Sequence, residues 1–370
     1  MLVLAGFMTM CLLFSTPAYA GDNDVTVNGA TGSDLADVST ADRAGALADV
    51  LMARAYQDGE VVPQDDAAAA RLYRRAAAQG LALGQYYLGA LYLSGLGVPQ
   101  DDSEAARWFR LAAEQGEATA QMLLGVMYHR GQGVTRDYRV ARQWFQRGAA
   151  QGKAHAQYSL GMMYSLGQGV PQDEAAAVSW YRLAAAQGHP TAAHNLGLRY
   201  LQGHGVPLDL HAALGFLHEA AEQGLPDSQY LVGCIYLAGG DITKDSAEAF
   251  YWSQLAAERG HPGAQVTVGL MSLRGEGVSQ NHVEAVRWFR AAAEQGDASG
   301  QVNLAMAYRL GLGVPKDPIE AYLWAALAAD QHNEEAIELQ AAILRDLPPT
   351  QVSKAQRLAR AWKAKLKQRK

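Results

Sequence analysis

A single period, 36 residues, constrains this chain more than any other feature. An Ala/Glu–Gln/Arg–Gly tripeptide ends at Gly80, Gly116, Gly152, Gly188, Gly224, Gly260 and Gly296, and His332 takes the next place. Gly-x-Gly-Val recurs in the same register, at Gly95/Gly97, Gly131/Gly133, Gly167/Gly169, Gly203/Gly205, Gly275/Gly277 and Gly311/Gly313. Two more registers share the spacing. One is an aromatic from Trp108 to Trp324, with Phe216 for Trp; the other is an alanine from Ala69 to Ala321. Four registers locked to one period define a repeat array, whose units bury their faces only by stacking on neighbours. The units are 45–80, 81–116, 117–152, 153–188, 189–224, 225–260, 261–296 and 297–332.

Each unit reads as a helical hairpin. In the second, residues 82–94 form helix A, 95–101 a loop and 102–115 helix B. Glycine accepts the positive φ that ends helix A. Asp101 caps helix B with Glu104 three residues on, as do Asp245/Glu248, Asn281/Glu284 and Asp317/Glu320, which predicts capping boxes. Gly89, Gly125, Gly161, Gly197, Gly233 and Gly269 lie inside helix A, where each costs about 1 kcal/mol against alanine. That recurrence predicts close approach of helix B at the Ala105 register, with the Trp108 and Tyr92 registers as surrounding bulk. Val61 and Asp241 replace the second loop glycine, so those two loops should differ. The fold class is all-α: an α/α solenoid of eight hairpins. One more helix follows at 333–345, stopped by Pro348-Pro349. A last amphipathic helix from Thr350 then closes the end with Val352, Ala355, Leu358, Ala359 and Trp362.

The signatures resemble the Sel-one-like repeat (SLR), a relative of the tetratricopeptide repeat with a unit two residues longer. The residues that carry the resemblance are Leu160-Gly161-x-x-Tyr164, Gly167-x-Gly169-Val170, Asp173, Ala177, Trp180 and Ala185-Ala186-Gln187-Gly188, and the pattern covers about residues 45–332. The resemblance implies a right-handed superhelix that scaffolds protein complexes. It also implies a bacterial protein of exported type serving in envelope assembly, signalling regulation or host contact.

Outside the array, residues 2–14 are apolar, and Ala18-Tyr19-Ala20 places small residues for a cut before Gly21. This reads as a secretory signal over 1–20, with no Lys or Arg before its core. The alternative, a retained anchor, falls short of the ~20 residues a span needs. Residues 21–43 read as a disordered acidic linker. The expected address is the periplasm, or the extracellular space. Residues 350–370 hold eight Lys and Arg and no acid, within a chain of net charge −6. Residues 333–370 therefore form cap helices with a basic tail. The tail and an uncleaved signal are the two routes to membrane contact, and the acidic body excludes nucleic acid. With Cys11 in the signal, Cys234 remains, in an apolar register that predicts a buried thiol.

A solenoid binds through registers its packing leaves variable. With Leu88 at 0° on helix A, the variable registers of Leu83, Tyr87 and Ser94 fall near −140°, −100° and −120°. By analogy with the tetratricopeptide superhelix, this face is the expected concave groove, with Tyr87, Arg130, Asn195, Gln202, Arg274 and Asn303 as contact residues for an extended peptide's backbone and carboxylates. The Gly-x-Gly loops follow a helix rather than a strand, so they are not phosphate loops. His194, His204, His211 and His218 lack a carboxylate or cysteine at ligand spacing, so no metal or other cofactor is expected. The reading is a non-catalytic, monomeric adaptor for a protein or peptide. Two alternatives stay open: an enzyme of β-lactam or peptidoglycan chemistry, as in cysteine-rich relatives whose cysteine pairs are missing here, and a surface protein contacting a host or a glycan.

Overall fold

The structure is a computed structural model that describes residues 40–368, with side chains placed for 43–362. The signal, nearly all of the acidic linker and the end of the basic tail lie outside the described residues. The expected helices are all present. The A helices are α1 (Thr40–Asp58), α3 (Ala82–Ser94), α5 (Ala118–Arg130), α7 (Ala154–Leu166), α9 (Pro190–Gln202), α11 (Pro226–Ala238), α13 (Pro262–Arg274) and α15 (Ala298–Leu310). The B helices are α2 (Asp66–Ala78), α4 (Asp102–Glu114), α6 (Tyr138–Ala150), α8 (Glu174–Ala185), α10 (Leu210–Glu222), α12 (Ser246–Glu258), α14 (His282–Glu294) and α16 (Pro318–Ala329). Then come α17 (Glu334–Asp346) and α18 (Pro349–Gln368). No strand occurs among the described residues. The chain divides into two compact units, an N-terminal one ending at Leu208 and a C-terminal one starting at Asp209.

The hairpin loop spans 95–101, as read from the sequence. Gly95 ends α3 at φ 73°, and Asp101 accepts from the amides of Ser103 and Glu104. The second half of the capping box does not form. The Asp101 amide donates instead to the Tyr92 carbonyl at 2.9 Å, which closes the loop. Glu104 turns to Arg107, while Glu248 and Glu320 accept from the Trp252 and Trp324 indoles.

Each glycine register answers to a different neighbour. A Cβ on Gly89 would lie 2.9 Å from the Phe109 ring and 3.3 Å from the Ala105 carbonyl. The bulk against the helical glycine is thus the Phe109 register (Phe145, Tyr181 and Phe289 in later repeats), not the Trp108 register. Sealing such a ring from water contributes about 1.5–3 kcal/mol, which outweighs the ~1 kcal/mol helix penalty of the glycine. In the eighth repeat, Ala305 replaces the glycine and Ala325 replaces the ring, both buried.

The second loop glycine serves stacking. A Cβ on Gly97, Gly133, Gly205, Gly277 or Gly313 would overlap the carbonyl of Asp66, Asp102, Glu174, Ser246 or His282, each at the start of the preceding B helix. Val61 belongs to the first repeat, meets no preceding B helix among the described residues, and is 84 % exposed. At Asp241 the left-handed conformation moves to Gly240, at φ 100°. His332, in the turn-glycine register, holds φ 60°, the one positive φ outside glycine among the described residues.

An amide ladder joins successive repeats, unread in the sequence. Buried Gln85, Gln121, Gln157, Gln229, Gln265 and Gln301 each donate to the carbonyl eight residues earlier. Each then accepts from the turn residue thirty positions later: Gln115, Gln151, Gln187, Arg259, Gln295 or Gln331. Ala193 breaks the register. At the far end, α18 packs on α16 with Ala355 and Ala359 buried and Trp362 edge-on to Trp324 at 5.3 Å. This is the expected closing face, although Pro349 opens α18 rather than ending α17.

Candidate functional site

Within each unit, A helices touch the A helices of adjoining repeats, as α1 does α3, α5 does α7 and α13 does α15. The B helices pack chiefly on A helices. The A helices therefore form the inner layer, and their contact decides which variable registers stay open. The Tyr87 register closes: Tyr87, Leu123, Ser159, Asn195 and Leu231 are all buried. Tyr87 stacks on Tyr73 at 4.9 Å and tilts against Tyr86, and burial raises the pKa of its hydroxyl. Asn195 shares a hydrogen bond with the buried Tyr181 hydroxyl. Asn303 is half-buried and donates to the Ser299 carbonyl at 2.8 Å, a turn back on its own helix.

The Ser94 register stays open. Arg130 and Gln202 in the N-terminal unit and Arg274 in the C-terminal unit are exposed, each ending its A helix. The two arginines suit the negative end of the helix dipole. The six contact residues expected from sequence thus divide. Three keep accessible polar groups, and Tyr87, Asn195 and Asn303 are committed, wholly or partly, to the fold.

Polar chemistry also gathers at the A-helix starts and loops. His261 caps α13: its Nδ1 accepts from the Ala264 amide at 3.0 Å, its Nε2 lies 3.6 Å from Asp227, and its ring stacks on Tyr230 at 4.4 Å. Burial holds its pKa below the usual histidine value, against the pull of Asp227 and Asp297. Asp297 caps α15, and burial raises its pKa, against the amides of Gly300 and Ser299 and against His261. In the N-terminal unit His129 is buried, with a ring nitrogen 2.7 Å from the Gln168 amide oxygen. Burial lowers its pKa, opposed by Gln168 and aided by Arg130 and Arg136. Arg199 lies 2.8 Å from Glu174 and donates to Ser165. Among the described residues no group of three or more His, Cys, Asp or Glu could hold a metal. Cys234 is 6 % exposed.

The largest feature absent from the sequence reading is on the B helices. On the N-terminal unit, the exposed side of α2 carries Arg71, Arg74 and Arg75, that of α4 Arg107 and Arg110, that of α6 Arg147 and that of α8 Arg182. Glu114 is the one acid at these positions. The sequence signal is an arginine in one 36-residue register of helix B, at 74, 110, 182 and 290.

The description "Sel1 repeat" matches residues 46–81, 82–117, 118–153, 154–189, 190–225, 226–261, 262–297 and 298–333, one residue later than the units read from sequence. The chain belongs to the Sel1 repeat family. Members of this family are in general non-catalytic protein-interaction scaffolds. A Sel1 repeat protein from Oxalobacter formigenes is 36% identical, with a TM-score of 0.61 over 80% of this chain and 86% of that one. A protective antigen of uropathogenic Escherichia coli with an SLR fold is 30% identical, with a TM-score of 0.47 over 87% of this chain and 85% of that one. A Sel1 repeat protein from Klebsiella pneumoniae is 23% identical, with a TM-score of 0.36 over 55% and 99%. No curated protein matches. Among the described residues no helix of this Sel1 protein is long and apolar enough to cross a membrane.

Proposed function

We propose that this Sel1 repeat chain is an exported, non-catalytic adaptor that holds a peptide or protein in the bacterial envelope. The supporting observation is the Ser94 register. It ends each A helix, takes no part in the repeat seams, and varies from Ser94 to Arg130, Leu166 and Gln202 in one unit, and from Ala238 to Arg274 and Leu310 in the other. Interior positions are committed by rings, glycines and the amide ladder, so this register is free to be chosen for a partner. Arg130 and Arg274 supply guanidinium forks for carboxylates, and Gln202 an amide for a peptide backbone.

The test is crosslinking and pull-down from envelope extract. Arg130→Glu combined with Arg274→Glu should abolish capture of the partner while helicity and melting stay at wild-type values. Unchanged capture would refute the assignment of this face. Cell fractionation with mass determination of the mature N-terminus tests the address, and a cytoplasmic, uncut chain would overturn it.

A further inference from the structure

The arginine row of the N-terminal unit is arranged for use outside the fold. Arg74, Arg110 and Arg182 occupy one register of α2, α4 and α8. Each donates through Nη2 to a tyrosine hydroxyl on the next A helix: Tyr92, Tyr128 and Tyr200. Arg147 on α6 lies over the Trp144 ring at 4.6 Å. None of these four is paired with a carboxylate among the described residues, although Arg71, Arg75 and Arg107 beside them are. A phenol or an indole fixes the guanidinium plane without cancelling its charge, so the entropy of ordering the side chain is already spent. Two exposed leucines, Leu111 at 36 % and Leu183 at 50 %, follow Arg110 and Arg182 directly.

We infer that this row is a second docking surface, for an acidic peptide segment carrying apolar residues. Glutamate or aspartate carboxylates meet the unpaired forks of Arg74, Arg110 and Arg182, and the apolar residues cover Leu111 and Leu183. The choice of a peptide over a polyanion or a bilayer rests on those leucines. A phosphate or sulfate chain would leave them in water, and a row interrupted at Gln146 suits discrete carboxylates more than a uniform charge density. The surface lies on the B helices and does not depend on the Ser94 register.

The experiment uses the full chain and a fluorescein-labelled peptide of glutamate with leucine at every fourth position, read by anisotropy. The comparison probes are leucine-free polyglutamate, heparin, and vesicles of phosphatidylglycerol and phosphatidylcholine. The expected result is saturable binding of the Glu/Leu peptide that weakens on the order of tenfold between 50 and 300 mM salt. Arg74→Gln, Arg110→Gln and Arg182→Gln together should weaken it at least on the order of tenfold. Gln146 already stands in this register, so the fold accepts the substitution, and unchanged circular dichroism verifies it. Arg290→Gln should leave binding unchanged: Arg290 is held by Tyr308 at 2.7 Å in the same way, but on the other unit. The loss caused by the triple glutamine variant should persist when Arg130→Glu and Arg274→Glu are also present, which separates this surface from the adaptor face. Any of three results overturns the inference: no peptide binding, peptide binding indifferent to the triple glutamine variant, or equal binding of leucine-free polyglutamate, heparin or vesicles.

Discussion

The two units are built from one hairpin and carry opposite faces. In the N-terminal unit the outward positions of the B helices hold seven arginines and Glu114. The same positions in the C-terminal unit hold Arg287 and Arg290 against Glu219, Glu222, Glu258, Glu294 and Asp330. Behind those faces the same parts recur: the loop glycine on the preceding helix, the helical glycine on a ring (Ser253 at Gly233), and the paired glutamines (Arg259 with Gln229). The repeat thus separates what stacks from what is displayed, and charge can reverse along the chain without touching a seam.

That separation can be broken first at the loop glycine. Gly133→Val in one unit and Gly313→Val in the other place a β-branched residue at φ 66° or 69° against the carbonyl of Asp102 or His282. Each should cost about 3–5 kcal/mol in urea unfolding, alike in the two units, while Val61→Gly should change stability by under about 1 kcal/mol. Unequal costs would show that the units do not share one architecture.

The amide ladder is the next level. Gln121→Ala and Gln265→Ala each remove a buried amide that serves two partners, leaving the Ala113 or Ala257 carbonyl to its backbone donor alone and taking an acceptor from Gln151 or Gln295. A loss of about 1–3 kcal/mol is expected from each, again similar in both units.

Acid should act on both units through different surroundings. His129 and His261 have folded pKa values below their unfolded ones, so their stabilising contribution is present above about pH 6.5 and is lost as pH falls through the folded value. Asp297 works in the opposite sense, gaining stability on protonation, but only near the carboxylate range. His261 faces Asp227 and Asp297, which soften its loss, whereas His129 faces Arg130 and Arg136, which sharpen it. Chemical unfolding at pH 7 and pH 5 should show a drop that His261→Asn, an uncharged cap, reduces in the C-terminal unit alone. Equal pH dependence in the variant would remove His261 from the account.

The smallest effect tests the faces themselves. Arg107→Ala and Arg287→Ala each delete a guanidinium over an indole at 4.9 Å and a surface pair with Glu104 or Glu284. Each should cost under about 1 kcal/mol, because both arginines are well exposed. A larger loss from either would mean that the displayed face also holds the hairpin together.

The sequence made the hairpin legible because each punctuating residue has a local cause: Asp101 caps, Gly95 turns left-handed, Ala355 and Ala359 fall on one helical face. The gaps concern partners far along the chain. Gln85 reads as one more interior residue until Gln115 is placed beside it. Glu104 reads as half of a capping box until the Tyr92 carbonyl claims the Asp101 amide. Variability between repeats did not distinguish Ser94, which faces solvent, from Tyr87, which neighbouring repeats enclose. That difference depends on how closely successive A helices approach, a property of the stack rather than of any one hairpin.

The fit of Gly97 against the Asp66 carbonyl also sets rules for rearranging the array. An interior hairpin that carries the loop glycine, copied in tandem, brings it to its new upstream neighbour and slots in. A copy of the opening hairpin would bring Val61 instead, and its side chain would collide with the helix placed before it. Lengthening by duplication is therefore open to interior modules that carry this glycine and closed to a copy of the first.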